Sequence, residues 1–464
     1  MVGSSPTPAP TPARTTAPAP GGSASPVRLE FADDLFARRH RGLGSPVVNQ
    51  WVWRLEGPYD PDRVRRLADG LAQGGLSRLL HRAVVPGARD LWTNSPLPPA
   101  VALHAEPVPR TELTGWLEDR HAEVLDPHQG RTWRLSAANL DDGTGVVCLI
   151  LAHAVGDGGS VLDAVSRAAT GADPLRLPAL PGSALGRLAS DTRDAAGQIG
   201  AIGRWTRSRV SARRSGVGAR AVRRTPPPPV PVRPGSETWR LPRMTVELDS
   251  AAVAATAARY GGSANAWFVA LMGRLLVTIG HVPEDGAPVP VSLPMSEFRP
   301  GDTRANSTRV TRVEVPRDAL EARDLTVVKA ACKEAYVALA TAGAGFAPIP
   351  LALVQMLPDR VIRMLPAPPS AACMASNLGR LPEAYVGAGG DRVRSVSAMA
   401  CYQDAPAAEV RAMGGGLIAW LVDAGTRTTL TVVGAEPDRL GGLDELHTVV
   451  FEELAGWGLA AELW

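Results

Sequence analysis

The chain is poor in several things at once. Aromatic residues make up only 5% of its 464 positions, and there are four cysteines, Cys148, Cys332, Cys373 and Cys401. The cysteines stand far apart, with no CxxC pair and no cysteine–histidine cluster, so neither a zinc site nor a disulfide framework is expected. A reducing, cytoplasmic setting fits that usage. An excess of one charge is also missing. The formal net charge is +3, nearly all the bases are arginine, and so small a surplus gives no case for nucleic-acid binding. Long hydrophobic runs are absent too. The most apolar stretch, AWFVALMGRLLVTIG, is broken by Arg274 and is too short to span a bilayer. The N-terminus lacks the apolar segment of a signal peptide.

What is present points to a globular protein of more than one lobe. Hydrophobic residues make up 45% of the chain, and its length exceeds what one ordinary core organises. Residues 1–26 are almost all Pro, Ala, Thr, Ser and Gly and read as a disordered tail, because they bury too little to offset the entropy of ordering. Residues 27–185 alternate strand and helix signals. PVVNQWVWRLEG reads as a strand. DPDRVRRLADGLAQGG reads as a helix capped by Asp60 and ended at Gly74. TWRLSAANL and VVCLILAH read as strands joined through Asp141-Asp142-Gly143, a hairpin signal. The second of them is apolar on both faces and should be central and covered on both sides. Residues 186–236 form an arginine-rich helix and a proline-rich connector. They read as a solvated link or as a face for an acidic carrier or anionic lipid. Residues 237–464 repeat the mixed pattern. Such irregular mixing predicts an α+β fold on mixed sheets.

The chemistry-bearing stretch is LILAHAVGDGGSVLDAV, residues 149–165. An apolar strand delivers His153 to its end, and Asp157-Gly158-Gly159 then opens a helix. A lone histidine there is most simply a satisfied core residue. As a titratable group near neutrality, it is also a candidate general base. Gly158 and Gly159 would supply backbone N–H groups at a helix N-terminus for a developing oxyanion. No third ligand accompanies His153 and Asp157, so no metal is expected.

HAVGDGG resembles the HHxxxDG signature of the chloramphenicol-acetyltransferase-like, CoA-dependent acyltransferases, a superfamily that includes condensation domains and wax ester synthase/diacylglycerol acyltransferases. Further blocks follow in the family's order. They are HQGRTWRLSAANLDDGTGVVCLILAH before the motif, VPVSLPMSEFRPGDTRANSTRVTRVEVP after it, and ASNLGRLP at residues 375–382. The likeness covers residues 29–464. It implies two such lobes forming a V-shaped pseudo-dimer, with the active site in a tunnel between them. His153 would then be the base, and Asp157 a structural brace salt-bridged to Arg299, with Arg304 as the second choice. Where many relatives carry the first histidine, this chain has Ala152.

Three more residues have two readings each. Asn306 orients substrate or starts a strand as a turn residue, while Ser376 and Asn377 line the channel or cap a bend. The resemblance implies acyl transfer from a CoA or carrier-protein thioester, which acts as co-substrate with no permanently bound cofactor. The acceptor would be a hydroxyl, less readily an amine, of a small molecule or lipid. The protein is expected to be a monomer, with peripheral membrane contact an open option. The alternatives are condensation or cyclisation on a carrier-bound substrate, and a non-catalytic carrier-binding role.

Overall fold

The computed structural model describes residues 25–214, 227–282, 286–341, 349–364 and 371–464. The expected disordered tail lies almost wholly outside these residues, and so does part of the arginine-rich segment and its connector. Among the described residues, fifteen strands, numbered in chain order, form three sheets. A small sheet joins β1 (Val27–Arg28), β4 (Leu91–Asn94) and β3 (Arg78–His81). A five-stranded sheet runs β12 (Val393–Tyr402), β2 (Val47–Leu55), β7 (Gly145–Ala152), β6 (Trp133–Asn139) and β5 (Val101–Leu103). A seven-stranded sheet runs β10 (Thr308–Val315), β9 (Val289–Ser296), β11 (Cys373–Arg380), β13 (Leu417–Asp423), β14 (Arg427–Gly434), β8 (Arg243–Asp249) and β15 (Glu462–Leu463). Both larger sheets are mixed. β5 lies parallel to β6, and β11 lies parallel to β9 and β13, among antiparallel neighbours. This is the α+β architecture expected from the sequence.

The local signals act where they stand in the chain. Asp60 caps the Pro61–Gln73 helix by accepting from the N–H groups of Asp62 and Arg63, and the helix stops at Gly74. Gly143 takes a φ of +80° in the turn between β6 and β7. β7 is buried along its whole length because it separates two cores. Val147, Leu149 and Leu151 pack on one face, while Val146, Cys148, Ile150 and Ala152 pack on the other. In the second large core, the Ala264–Thr278 helix is buried nearly all round. Arg274, which interrupts its apolar run, is held by Glu453 and the carbonyl of Leu320.

One strand departs from the linear division. β12 falls within residues 237–464, yet it forms the edge of the sheet that carries the motif strand, pairing along β2 from Val393↔Leu55 to Tyr402↔Val47. Its alternating pattern marks it as a strand but does not name its neighbour. Register and packing across more than 300 residues decide that. Among the described residues, no helix is long and apolar enough to cross a membrane.

Candidate active site

β7 ends at Ala152, and the chain turns through a single 3-10 turn, His153–Val155, before the Gly158–Thr170 helix begins. The turn is pinned from several sides. Asn49 on β2 donates to the carbonyl of Gly156 at 2.7 Å, and the Asp157 amide donates to the carbonyl of Ala305 at 3.2 Å. The His153 ring stacks on Phe36, with centroids 4.0 Å apart and planes 15° from parallel. Both side chains line a cavity of about 560 Å³. Strands of both large sheets border that cavity, as do the Phe31–Arg39 helix and the motif turn.

Asn306 is the residue that orients the histidine. Its Nδ2 donates to Asp33 Oδ1 at 2.9 Å and to the His153 carbonyl at 3.0 Å. These two acceptors place Oδ1 of the amide opposite His153 Nδ1, at 3.1 Å. An amide oxygen only accepts, so the hydrogen-bond network assigns the proton to Nδ1 and the lone pair to Nε2. Burial lowers the imidazole pKa below its ordinary value, and a backbone hydrogen bond, the charge of Asp157 and the Asn306 contact offset this only partly. The ring is therefore neutral near pH 7, in the tautomer that a base acting through Nε2 requires. Of the two readings of Asn306 in the sequence, neither anticipated this contact with the histidine.

Asp157 does brace the turn, but not through an ion pair. Its Oδ1 accepts from the Ser160 amide at 3.1 Å, which caps the helix. Its Oδ2 accepts from the Ser307 amide at 2.7 Å and from Thr308 Oγ1 at 2.7 Å. The expected partner Arg299 makes no salt bridge to it among the described residues, and Arg304, the second choice, is bound to Asp302 at 2.6 Å. The correction has a simple cause. Three short donors already satisfy the buried carboxylate, and Arg299 is exposed at the surface.

Gly158 and Gly159 occupy the first turn of the helix and line the cavity. N–H groups in that turn lack intrahelical acceptors. A Cβ on Gly159 would stand 2.4 Å from Ser296 Oγ and 2.6 Å from Phe298 Cβ, so β9 and the segment after it come up directly against the backbone there. Ser376 and Asn377 sit on β11 and also line the cavity. The Asn377 side chain is engaged, donating to Asn265 Oδ1 at 3.0 Å and accepting from the Gly379 amide at 2.9 Å across a bulge.

Sequence reasoning missed Asp33, Phe36 and Arg78. Asp33 is fully buried and accepts from both the amide and the side chain of Asn306, and burial raises its pKa to about 6. Arg78 is buried as well and draws that pKa back down by its charge, while its guanidinium donates to the carbonyls of Gly75 and Thr303. An acidic residue in the first turn of a helix is an ordinary capping signal. Indeed Asp33 also accepts from the Glu30 amide, so nothing local marked it as a neighbour of the histidine.

Comparison with solved structures reinforces the architecture. The condensation domain of the Monacolin K polyketide synthase aligns over 93% of this chain and 96% of its own, with a TM-score of 0.57 at 12% identity. The first condensation domain of the calcium-dependent antibiotic synthetase aligns over 94% and 96%, at 0.57 and 15%. The chain has the condensation-domain fold. The wax ester synthase/diacylglycerol acyltransferase from Marinobacter aquaeolei VT8 shares it over 93% of this chain and all of its own, with a TM-score of 0.51 at 15% identity. Within this chloramphenicol-acetyltransferase-like fold, the motif strand is β7 and the residue at its end is His153. No protein-family model matches the chain, and no curated protein does either.

Proposed function

We propose that the protein transfers an acyl group from a CoA or phosphopantetheine thioester to a hydroxyl group of a small molecule or lipid. The observation that carries this reading is the Asp33–Asn306–His153 chain of hydrogen bonds, which holds a neutral imidazole at the cavity with its lone pair on Nε2. In the proposed reaction Nε2 takes the acceptor's hydroxyl proton as its oxygen attacks the thioester carbonyl. In this reading the N–H groups of Gly158 and Gly159, in the first turn of the helix, stabilise the oxyanion. Collapse of the intermediate breaks the C–S bond, and the thiolate leaves with the proton held by His153. The products are an ester and a free thiol, and no covalent enzyme intermediate forms.

The cavity volume of about 560 Å³ is in the range of small-molecule sites. Ala152, which replaces the first motif histidine, is fully buried and pairs with Val48 in the sheet, so its position is a packing one. The proposed base is held by Asn306 and does not depend on a side chain at that position. The donor is a co-substrate in this reading, and the protein acts as a monomer.

The test is release of free thiol from a panel of acyl-CoA and acyl-carrier thioesters, with a metabolite extract as the source of acceptors. Wild type and His153→Ala are compared directly. Release that needs both the extract and His153 supports the proposal. Release unchanged by the substitution removes His153 as the base. Condensation or cyclisation on a carrier is favoured instead if only carrier-bound donors react.

A further inference from the structure

The Ala184–Arg214 helix is 31 residues long, and its two faces differ in charge. Both of its carboxylates point into the body. Asp191 pairs with Arg28 at 2.7 Å, and Asp194 pairs with Arg89 at 2.9 Å. Each also accepts from a backbone amide, Val84 for Asp191 and Arg89 for Asp194. The acidic charge of the helix is therefore spent on holding it in place.

Another side of the helix is apolar, and the arc beside it is basic. Leu185, Leu188, Ile199 and Val210 are 78%, 48%, 61% and 45% exposed. At 100° per residue these four fall within an arc of about 60°, a single stripe. From Leu185 to Val210 that stripe is about 38 Å long at 1.5 Å per residue. Arg193, Arg204 and Arg207 are exposed along one flank of it. The Leu351–Met356 helix packs against the same helix and exposes Leu351 and Leu353.

We infer that this helix is a docking surface for an anionic lipid membrane, on which it lies in the plane of the headgroups. Three features select that occupant. The outward charge is entirely basic, which complements an anionic surface. The apolar residues are spread along one long, nearly straight line rather than gathered in a compact patch, and a planar partner meets such a line along its full length. No described helix is long and apolar enough to cross a bilayer, so contact is at the interface. The inference is independent of the proposed acyl transfer, because vesicle binding is measured without substrate.

The experiment is co-sedimentation of the full chain with vesicles of phosphatidylcholine alone, and of phosphatidylcholine with about 30% phosphatidylglycerol. Binding is expected to the anionic vesicles and to weaken as salt is raised. Replacing Arg193, Arg204 and Arg207 together by Gln should lower the partition coefficient about a hundredfold, since each arginine near an anionic surface contributes close to a factor of five. Leu185→Ser, Ile199→Ser and Val210→Ser combined should also release the protein. Both variants keep the Asp191 and Asp194 ion pairs, and each must melt with wild type for its result to count; single substitutions replace any that does not. Equal binding to both vesicle types, no binding to either, or full retention by the arginine variant would overturn the inference. So would capture by an acidic carrier protein without vesicle binding.

Discussion

Removing the Asp157 carboxylate should unfold the motif turn far more than removing the exposed Arg299 guanidinium. In Asp157→Ala three close donors lose their acceptor at once: the Ser160 amide at 3.1 Å, the Ser307 amide at 2.7 Å and Thr308 Oγ1 at 2.7 Å. The carboxylate is only 3% exposed, so water does not easily take its place. Hydrogen bonds to a charged acceptor contribute about 1.5–3 kcal/mol each, and allowing for local relaxation the loss is about 4–6 kcal/mol. That is a large share of the total stability of an ordinary domain. Asp157→Asn retains one acceptor oxygen but turns an NH2 group towards a donor, so it should recover less than half of the loss. Arg299→Ala should stay within about 0.5 kcal/mol of wild type, as exposed side chains without such partners do. Urea unfolding followed by tryptophan fluorescence measures all three, and His153→Ala serves as a control that loses activity while keeping its fold. Equal destabilisation by Arg299→Ala and Asp157→Ala would restore the ion pair and refute this account of the brace. A wild-type unfolding curve for Asp157→Ala would refute the brace itself.

Three other outcomes follow from the same geometry. Because burial lowers the His153 pKa, the base form persists to lower pH than in free histidine; kcat/KM should be flat across neutrality and fall only at acidic pH, with a midpoint below about 6.5, and a midpoint above that value would contradict the assigned environment. Gly159→Ala should reduce turnover at least about tenfold and cost about 1–3 kcal/mol of stability, since the new methyl would stand 2.6 Å from Phe298 Cβ; melting and thiol-release assays report the two effects. His121 is buried, with its pKa lowered to about 3. The folded state then binds fewer protons than the unfolded one, so this contribution is complete above about pH 6.5 and is lost as pH falls, amounting to about 2 kcal/mol at pH 5. Melting His121→Phe beside wild type from pH 7 to 5 should show a shallower pH dependence in the variant.

The oriented base separates what is encoded locally from what is not. His153 at the end of a buried strand, Asp157 capping the next helix and the glycines of its first turn are all legible within a dozen residues. Strand alternation, caps and turn chemistry act over that range. The hairpin at Asp141–Gly143 and the helix capped by Asp60 are legible for the same reason.

Other features had no local signature. Asn306 lies 153 residues from His153, and Asp33 lies 273 residues from Asn306. Asn306 reads in its own segment as a substrate-orienting or a turn residue, and Asp33 stands in the first turn of a helix, where acidic residues are common. The same holds for β12, a plain strand by pattern, whose partner β2 is chosen by packing between the two halves of the chain. Arg299 failed as a partner for the complementary reason, because a carboxylate bonds to whichever donors the folded backbone brings close, and here those were Ser160, Ser307 and Thr308. By itself the sequence determined which elements form and which of them carries the histidine. Only the tertiary structure decided what touches that histidine, because hydrogen-bond partners are set by distance in space and backbone pattern carries no record of it.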